Sequence, residues 1–421
     1  MKRYITKIPR ALAAFMILAA SFASASFSGS MRSGGPTAIA ATTATGATGA
    51  SATTAKPLIY GAWVPYWQSQ PGEEDIALHL DSLGEVSPFS YEIGSGGSLI
   101  DDMNINNGSW DGWFSAIKDL NVKVIPTIAD FNTSAVYKLL SNATSRQAEE
   151  DNIAALVRAQ NFSGIDIDFE GMSPATRPYY SLFIKGLAMR LHPAGKVLTC
   201  TVVPRNQPSR IYNTVPASIV YPESYPVLNQ YCDEVRLMAY DQETTDIPLN
   251  GTKGNGTLYA PVADPAWVKY IVTTALQYIS PRKIMLGVPT YGYEYEVSWA
   301  NDETTYQRVR AWDFYGAMDR ADSLSIQPVR DNADELSFIF ASSTYIAEPS
   351  ILVTTVQSTE PLALTAPTST GSAGLTTFFV SFPDAQSVAD KVALAKQYGL
   401  RGIMLFKADG GMDPNIWNML N

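Results

Sequence analysis

Histidine is nearly absent from this chain: among 421 residues only His79 and His192 occur, far apart in the sequence. Zinc sites, Ser-His-Asp triads and Cys-His dyads therefore lack their parts, and an enzyme built from this sequence must move protons with carboxylates. Cysteine is as scarce. Cys200 and Cys232 can form at most one disulfide, so no disulfide framework holds the fold, and a free buried pair is the other reading. Basic residues are outnumbered, 30 Lys and Arg against 40 Asp and Glu, for a net charge of -10. A surface biased that way repels phosphate backbones and anionic headgroups, so a nucleic-acid partner is not expected. No metal and no cofactor is implied. After the first 25 residues no stretch is long and apolar enough to span a bilayer.

What is present is ordinary globular material, 46% hydrophobic and 17% charged, on an unusual leader. Lys2, Arg3, Lys7 and Arg10 precede an uncharged apolar run from Ala11, and Ala23-Ser24-Ala25 offers a small-residue cleavage site. Residues 1–25 read as a secretory signal, with an uncleaved anchor as the competing reading. Residues 26–56, almost wholly Ala, Ser, Thr and Gly, cannot bury a core and read as a tether. A secreted or cell-wall-associated protein with no membrane span after signal removal is expected.

From residue 57 to 421, eight β-rich runs recur: Ile59 to Pro65, Val86 to Ile93, Val122 to Ile128, Gly164 to Phe169, Lys196 to Pro204, Glu234 to Tyr240, Lys283 to Pro289 and Gly402 to Phe406. Amphipathic stretches alternate with them, among them Arg146 to Gln160, Pro178 to Leu191, Pro265 to Ile279 and Ala385 to Tyr398. Eight such units predict an α/β fold, a (β/α)8 TIM barrel with working residues at the C-terminal strand ends. About 110 residues separate the last two runs, too many for one helix and its loops. A small α+β insertion over about 296–381 is expected there, with a helix at Thr305 to Ala321 and strands at Ser337 to Ala341 and Thr376 to Phe382.

The fourth run reads Ser163-Gly164-Ile165-Asp166-Ile167-Asp168-Phe169-Glu170. Side chains alternate faces with a period of two, so the three acids share one face, which in a barrel is the lumen. Burying them costs several kcal/mol unless protons are shared or donors supplied. Ionised Asp166 and Asp168 would raise the pKa of Glu170 and keep it protonated as a general acid.

These residues resemble glycoside hydrolase family 18, the chitinase-like family, whose Asp-x-x-Asp-x-Asp-x-Glu signature is matched at its last three acidic positions, with Ser163 in the first. Met238-Ala239-Tyr240-Asp241, Gly287-Val288-Pro289-Thr290-Tyr291-Gly292 and Gly402-Ile403-Met404-Leu405-Phe406 follow in the family's order. Within the family, Val86-Ser87-Pro88-Phe89, Met238 to Gln242 and Tyr291-Gly292-Tyr293 look most like the bacterial spore-cortex-lytic N-acetylglucosaminidase branch. The resemblance implies retaining hydrolysis of β-1,4-linked N-acetylglucosamine-containing glycans, peptidoglycan or chitin, with the substrate's 2-acetamido oxygen as nucleophile. It implies Glu170 as acid and base, Asp168 as partner of the acetamide N–H, Asp166 as keeper of the exchangeable proton, and Tyr240 as donor to the acetamide oxygen. Met238, Asp241, Tyr291, Phe406, Trp63 and Phe89 would bind the sugar, with Phe406 standing where the family usually has Trp. Tyr66, Trp67, Tyr91, Trp110, Trp113 and Tyr293 are further stacking candidates. Arg205 and Lys407 could meet a lactyl carboxylate of muramic acid. A monomer acting on a polysaccharide is expected. The alternative is a lectin-like protein on the same barrel that binds chitin or peptidoglycan and hardly cuts it.

Overall fold

The computed structural model describes residues 57–105, 110, 113–114, 117, 120–300, 303–343, 353–354 and 375–420. The expected leader and tether, 1–56, lie outside the described residues.

Eight parallel strands close into a barrel. They are β1 (Ile59–Pro65), β2 (Glu85–Ile93), β3 (Thr127–Asp130, preceded by the short strand Lys123–Val124), β4 (Gly164–Phe169), β5 (Val197–Val202), β6 (Glu234–Leu237), β7 (Ile284–Pro289) and the last strand, given below as β12. Each pairs with its neighbour in chain order, and β1 closes the ring by pairing with β2 on one side, Gly61 facing Glu85, and with the last strand on the other, Ile59 facing Gly402. Apolar runs buried on both faces are what a parallel sheet covered by helices requires. The longer helices of the barrel include α1 (Ala143–Ala159), α2 (Arg177–Leu191) and α3 (Pro265–Ala275). Asn142 and Asp264 cap the first and third, accepting from Ser145 N and Ala266 N respectively. Among the described residues no helix is long and apolar enough to cross a membrane.

The insertion follows β7 after one linking residue, Thr290. Strands β8 (Tyr291–Ala300), β9 (Glu303–Asp313), β10 (Leu336–Ser343) and β11 (Leu375–Phe382) form an antiparallel sheet in the order β9-β8-β11-β10. Helix α4 (Phe314–Ser323) lays Ala317 and Ala321 on Phe338, Phe340 and Phe382. The sheet thus opens at Tyr291, ahead of 296. The helix expected over Thr305 to Ala321 is half strand: Thr304, Thr305, Tyr306 and Val309 favour extended backbone, β8 supplies the ladder, and Asp313 starts the helix by accepting from Gly316 N at 2.6 Å. Helix α5 (Ala385–Gln397) then leads to β12 (Gly402–Phe406).

Cys200 on β5 and Cys232, just after the helix Tyr225–Tyr231, are joined in a disulfide, which decides between the two readings of the pair.

Candidate active site

Asp166 and Asp168 project from β4 into the lumen, while Ile165 and Ile167 pack outward into the main core. Asp166 is fully buried. Its register partners are Thr127 on β3 and Thr199 on β5, which share its face. Thr127 Oγ1 donates to Oδ2 at 2.9 Å and Thr199 Oγ1 to Oδ1 at 2.7 Å. Thr201 Oγ1, one lumen position further along β5, lies 3.0 and 2.9 Å from the two oxygens. The Trp63 indole donates at 3.4 Å, and Arg236 Nη1 stands 3.3 Å from Oδ2. Three hydroxyls, an indole and a guanidinium thus surround Asp166.

Asp168 stands two residues further along the same lumen face. It is buried, and its carboxyl is pushed well above the usual carboxylate range by burial first, then by the charges of Glu170 and Asp166, with Arg236 opposing. Its Oδ1 has no hydrogen-bond partner among the described residues. Glu170 is the first residue beyond β4, with its backbone N–H bonded to Asp130 O at 3.0 Å and its side chain half-buried. Its carboxyl is raised to about 7 by burial, then by Asp241 and Glu223. The acids that lift Glu170 come from the loops after β6 and β5, not from its own strand. A signature motif shows only the neighbours it contains, which is why Glu223 was missed.

Strand β6 stops at Leu237, so Met238 to Asp241 form the turn beyond it, tightened by Ala239 N bonding Leu237 O at 2.8 Å. The Tyr240 ring stacks on Phe406 at 5.2 Å with only 10° between planes. Burial, then Asp168 and Glu170, push its phenol well above its ordinary pKa, so the hydroxyl stays a donor. Tyr291 begins the inserted sheet, where Thr290 ties the chain across to Lys407 O at 2.7 Å. The Tyr291 and Tyr293 hydroxyls both donate to Asp241 Oδ1, at 2.6 and 2.7 Å. Met238 packs into the same cluster as these three tyrosines.

Phe406 sits centrally, edge-on to Trp63 at 5.9 Å and to Tyr291 at 5.8 Å, and is half-buried. Trp63, expected to touch sugar, is 1% exposed and spends its N–H on Asp166. It packs edge-on against Phe406 from within the barrel. Phe89 is also buried, against Tyr66 and Trp67. Trp110, Trp113 and Tyr91 belong to the main core. Trp67, at 40% exposure, keeps an open face. The two candidate cations are already engaged: Arg205 lies on the rings of Tyr221 and Tyr225 and beside Glu223, and Lys407 pairs with Asp409.

Residues outside the motifs complete the site. Arg236, fully buried one lumen position below Met238, bonds Ser87 Oγ at 2.7 Å and Glu85 at 2.9 Å as well as approaching Asp166. The alternation of Glu234 and Arg236 within an otherwise apolar strand was a readable sign of a charged lumen. Ser163, in place of the family's first acid, bonds the backbone N–H of Val124 at 3.1 Å. Arg236 is the charged neighbour Asp166 has instead.

The sequence profile of glycosyl hydrolases family 18 matches residues 100–411, nearly three quarters of the chain. The chain belongs to this family. Among its relatives, YdhD of Bacillus subtilis (strain 168), named as a sporulation-specific glycosylase, is 24% identical over 332 residues, covering 79% of this chain and 67% of its own length. The cortical fragment-lytic enzyme of Bacillus anthracis is 28% identical over 223 residues, 51% of this chain and 46% of the relative. The chain thus spans about two thirds of the one and about half of the other. In fold it resembles the chitinase from Chromobacterium violaceum, with a TM-score of 0.64 at 19% identity, over 86% of this chain and 98% of that one. A family 18 barrel with carboxylates in its lumen is a glycoside hydrolase, and the two histidines play no part: His79 stacks on Trp417 and His192 pairs with Asp233.

Proposed function

We propose that this chain is a secreted or cell-wall-associated retaining glycosidase that cleaves β-1,4-linked N-acetylglucosamine-containing glycan, peptidoglycan ahead of chitin, with the substrate's own acetamide as nucleophile. The observation that carries the reading is Glu170: a carboxyl at the strand end, raised to about 7 and so about half protonated at neutral pH, beside a second carboxyl that burial raises and a phenol that stays a donor. The acetamide oxygen attacks the anomeric carbon as the glycosidic C–O bond breaks, and Glu170 gives its proton to the departing oxygen. Asp168, whose Oδ1 lacks a partner among the described residues, accepts from the acetamide N–H, and the Tyr240 hydroxyl donates to the acetamide oxygen, holding it in line. Glu170, now a carboxylate, takes a proton from water, which opens the oxazolinium ring and leaves the β configuration.

The names of the YdhD and cortical fragment-lytic relatives favour a bacterial wall over chitin. Export is supported by the leader composition and by the Cys200–Cys232 disulfide, which suits an oxidising compartment. The test is incubation with peptidoglycan strands and matched chitin oligomers, products read by mass and the first anomer by NMR. N-acetylglucosamine-terminated β products are expected, more from peptidoglycan. Glu170→Gln should lower turnover by at least ~10² while glycan binding persists. Early α product, or near-wild-type turnover in that variant, would reject the mechanism.

A further inference from the structure

We propose that Arg308, carried by the inserted sheet and not by the barrel, is a positioning residue that clamps Asp241 beside Glu170. Strands β8 and β9 pair with Glu294 opposite Arg310 and Tyr295 opposite Arg308, which leaves Val309 as the extra residue of a β-bulge. In a regular ribbon Arg308 and Arg310 would share a face; the bulge sends them to opposite faces. Arg310 turns outward, 56% exposed, near Glu294 and over Trp312. Arg308 turns toward the site. Its guanidinium carbon lies 3.8 Å from the centre of the Tyr293 ring, and an amino group pairs with Glu243.

Those two contacts brace Asp241 from both sides. Tyr293 donates its hydroxyl to Asp241, and Glu243 lies two residues further along the same turn. Asp241 and Glu243 both have left-handed backbone, with φ of 58° and 49°, a conformation that Asp tolerates better than most residues and Glu adopts rarely. The backbone is held by the buried Gln242, whose N–H bonds Val262 O at 3.0 Å and whose amide bonds Tyr259 at 3.0 Å, and by Glu243 N bonding Pro261 O at 2.9 Å. Of the side chains, Asp241 is held by the Tyr291 and Tyr293 hydroxyls, and Arg308 holds Glu243 and the Tyr293 ring.

The consequence falls on Glu170. The groups around it are Asp168 on its own strand, Glu223 after β5, and Tyr240 and Asp241 after β6; Asp241 in turn faces Tyr240, Tyr291, Tyr293, Tyr295 and Arg308. With the clamp gone, Asp241 can turn toward water, and its charge no longer holds the proton on Glu170. The inference rests on Glu170 being the acid, but its test needs no turnover. In a 13C NMR titration of labelled carboxyls, with Glu170 assigned through the Glu170→Gln spectrum, Arg308→Gln should move the Glu170 midpoint down by about 0.5 to 1 unit. Arg308→Lys keeps the charge for Glu243 but not the flat stacking on Tyr293, and should give a smaller shift of the same sign; it also stands in if Arg308→Gln does not fold. Arg310→Gln, on the other face, should leave the midpoint where it is. An unchanged or raised Glu170 midpoint in the Arg308 variants overturns the clamp, a rise meaning that direct loss of the cation outweighs the movement of Asp241. A protein that titrates as expected yet cuts neither polymer would reject the proposed function and leave the clamp standing.

Discussion

Three carboxyls at the strand ends divide the work because their neighbours differ. Asp166 meets three threonine hydroxyls, an indole and a guanidinium, Asp168 meets two acids and an unfilled acceptor position, and Glu170 meets two acids from other loops. Glu170 is active as an acid only when protonated, so kcat/KM should fall as pH rises through about 7, the free-enzyme value of that group. Glu223 lies outside every motif and supplies one of the two charges raising it. Glu223→Gln removes that charge, so the proton leaves more readily and the alkaline limb should move to lower pH. Initial rates across pH 5 to 9 check both statements; a limb that stays in place in the variant would remove Glu223 from the account.

At the scale of the element, the strands decide how close the reacting groups come. Gly287 on β7 lies under the turn after β6: a Cβ there would stand 2.6 Å from Leu237 O and 3.0 Å from Cε1 of Tyr240. A main-chain oxygen cannot swing away, so Gly287→Ala should cost about 1 to 3 kcal/mol of stability. It should also displace Tyr240 and lower kcat about tenfold, since small misplacements of a catalytic donor are expensive. Gly251, in the helix Ile247–Lys253, has nothing within 4 Å of the same position, and Gly251→Ala should gain about 0.5 to 1 kcal/mol without touching turnover. Thermal unfolding and steady-state kinetics on the pair separate packing from helix propensity.

Across the whole molecule, buried acids shape the response to pH. Glu85 is raised to about 8 by burial and the neighbouring Glu234; Glu149 and Glu170 to about 7, mainly by burial; and Asp331 to about 7 by burial and Glu335. Between the usual carboxylate range and pH 8 the folded protein therefore holds protons that the unfolded chain has released. Stability must fall as pH rises through that window. The lowered acids, Asp151 and Asp384, act only below it. The melting temperature should be higher at pH 5 than at pH 8, and a flat or rising Tm would show that these carboxyls are ionised in the folded state.

The order of elements, the lumen-facing acids and the insertion were legible in the sequence because period and spacing are local properties of the chain. Gly164 to Phe169 alternates on its own, and no partner is needed to see which residues share a face. The edges of that legibility are physical too. Thr305 to Asp313 became strand because β8 was there to pair with it, and Val309 became a bulge only through that pairing, turning Arg308 toward the site. The same holds for the surroundings of the acids: Thr127, Thr199, Arg236, Asp241 and Glu223 come from four separate parts of the chain. Residue types and their repeat are written in one dimension, whereas desolvation and Coulomb interactions act through space, so the chemistry offered was set by the sequence and its tuning by the tertiary structure.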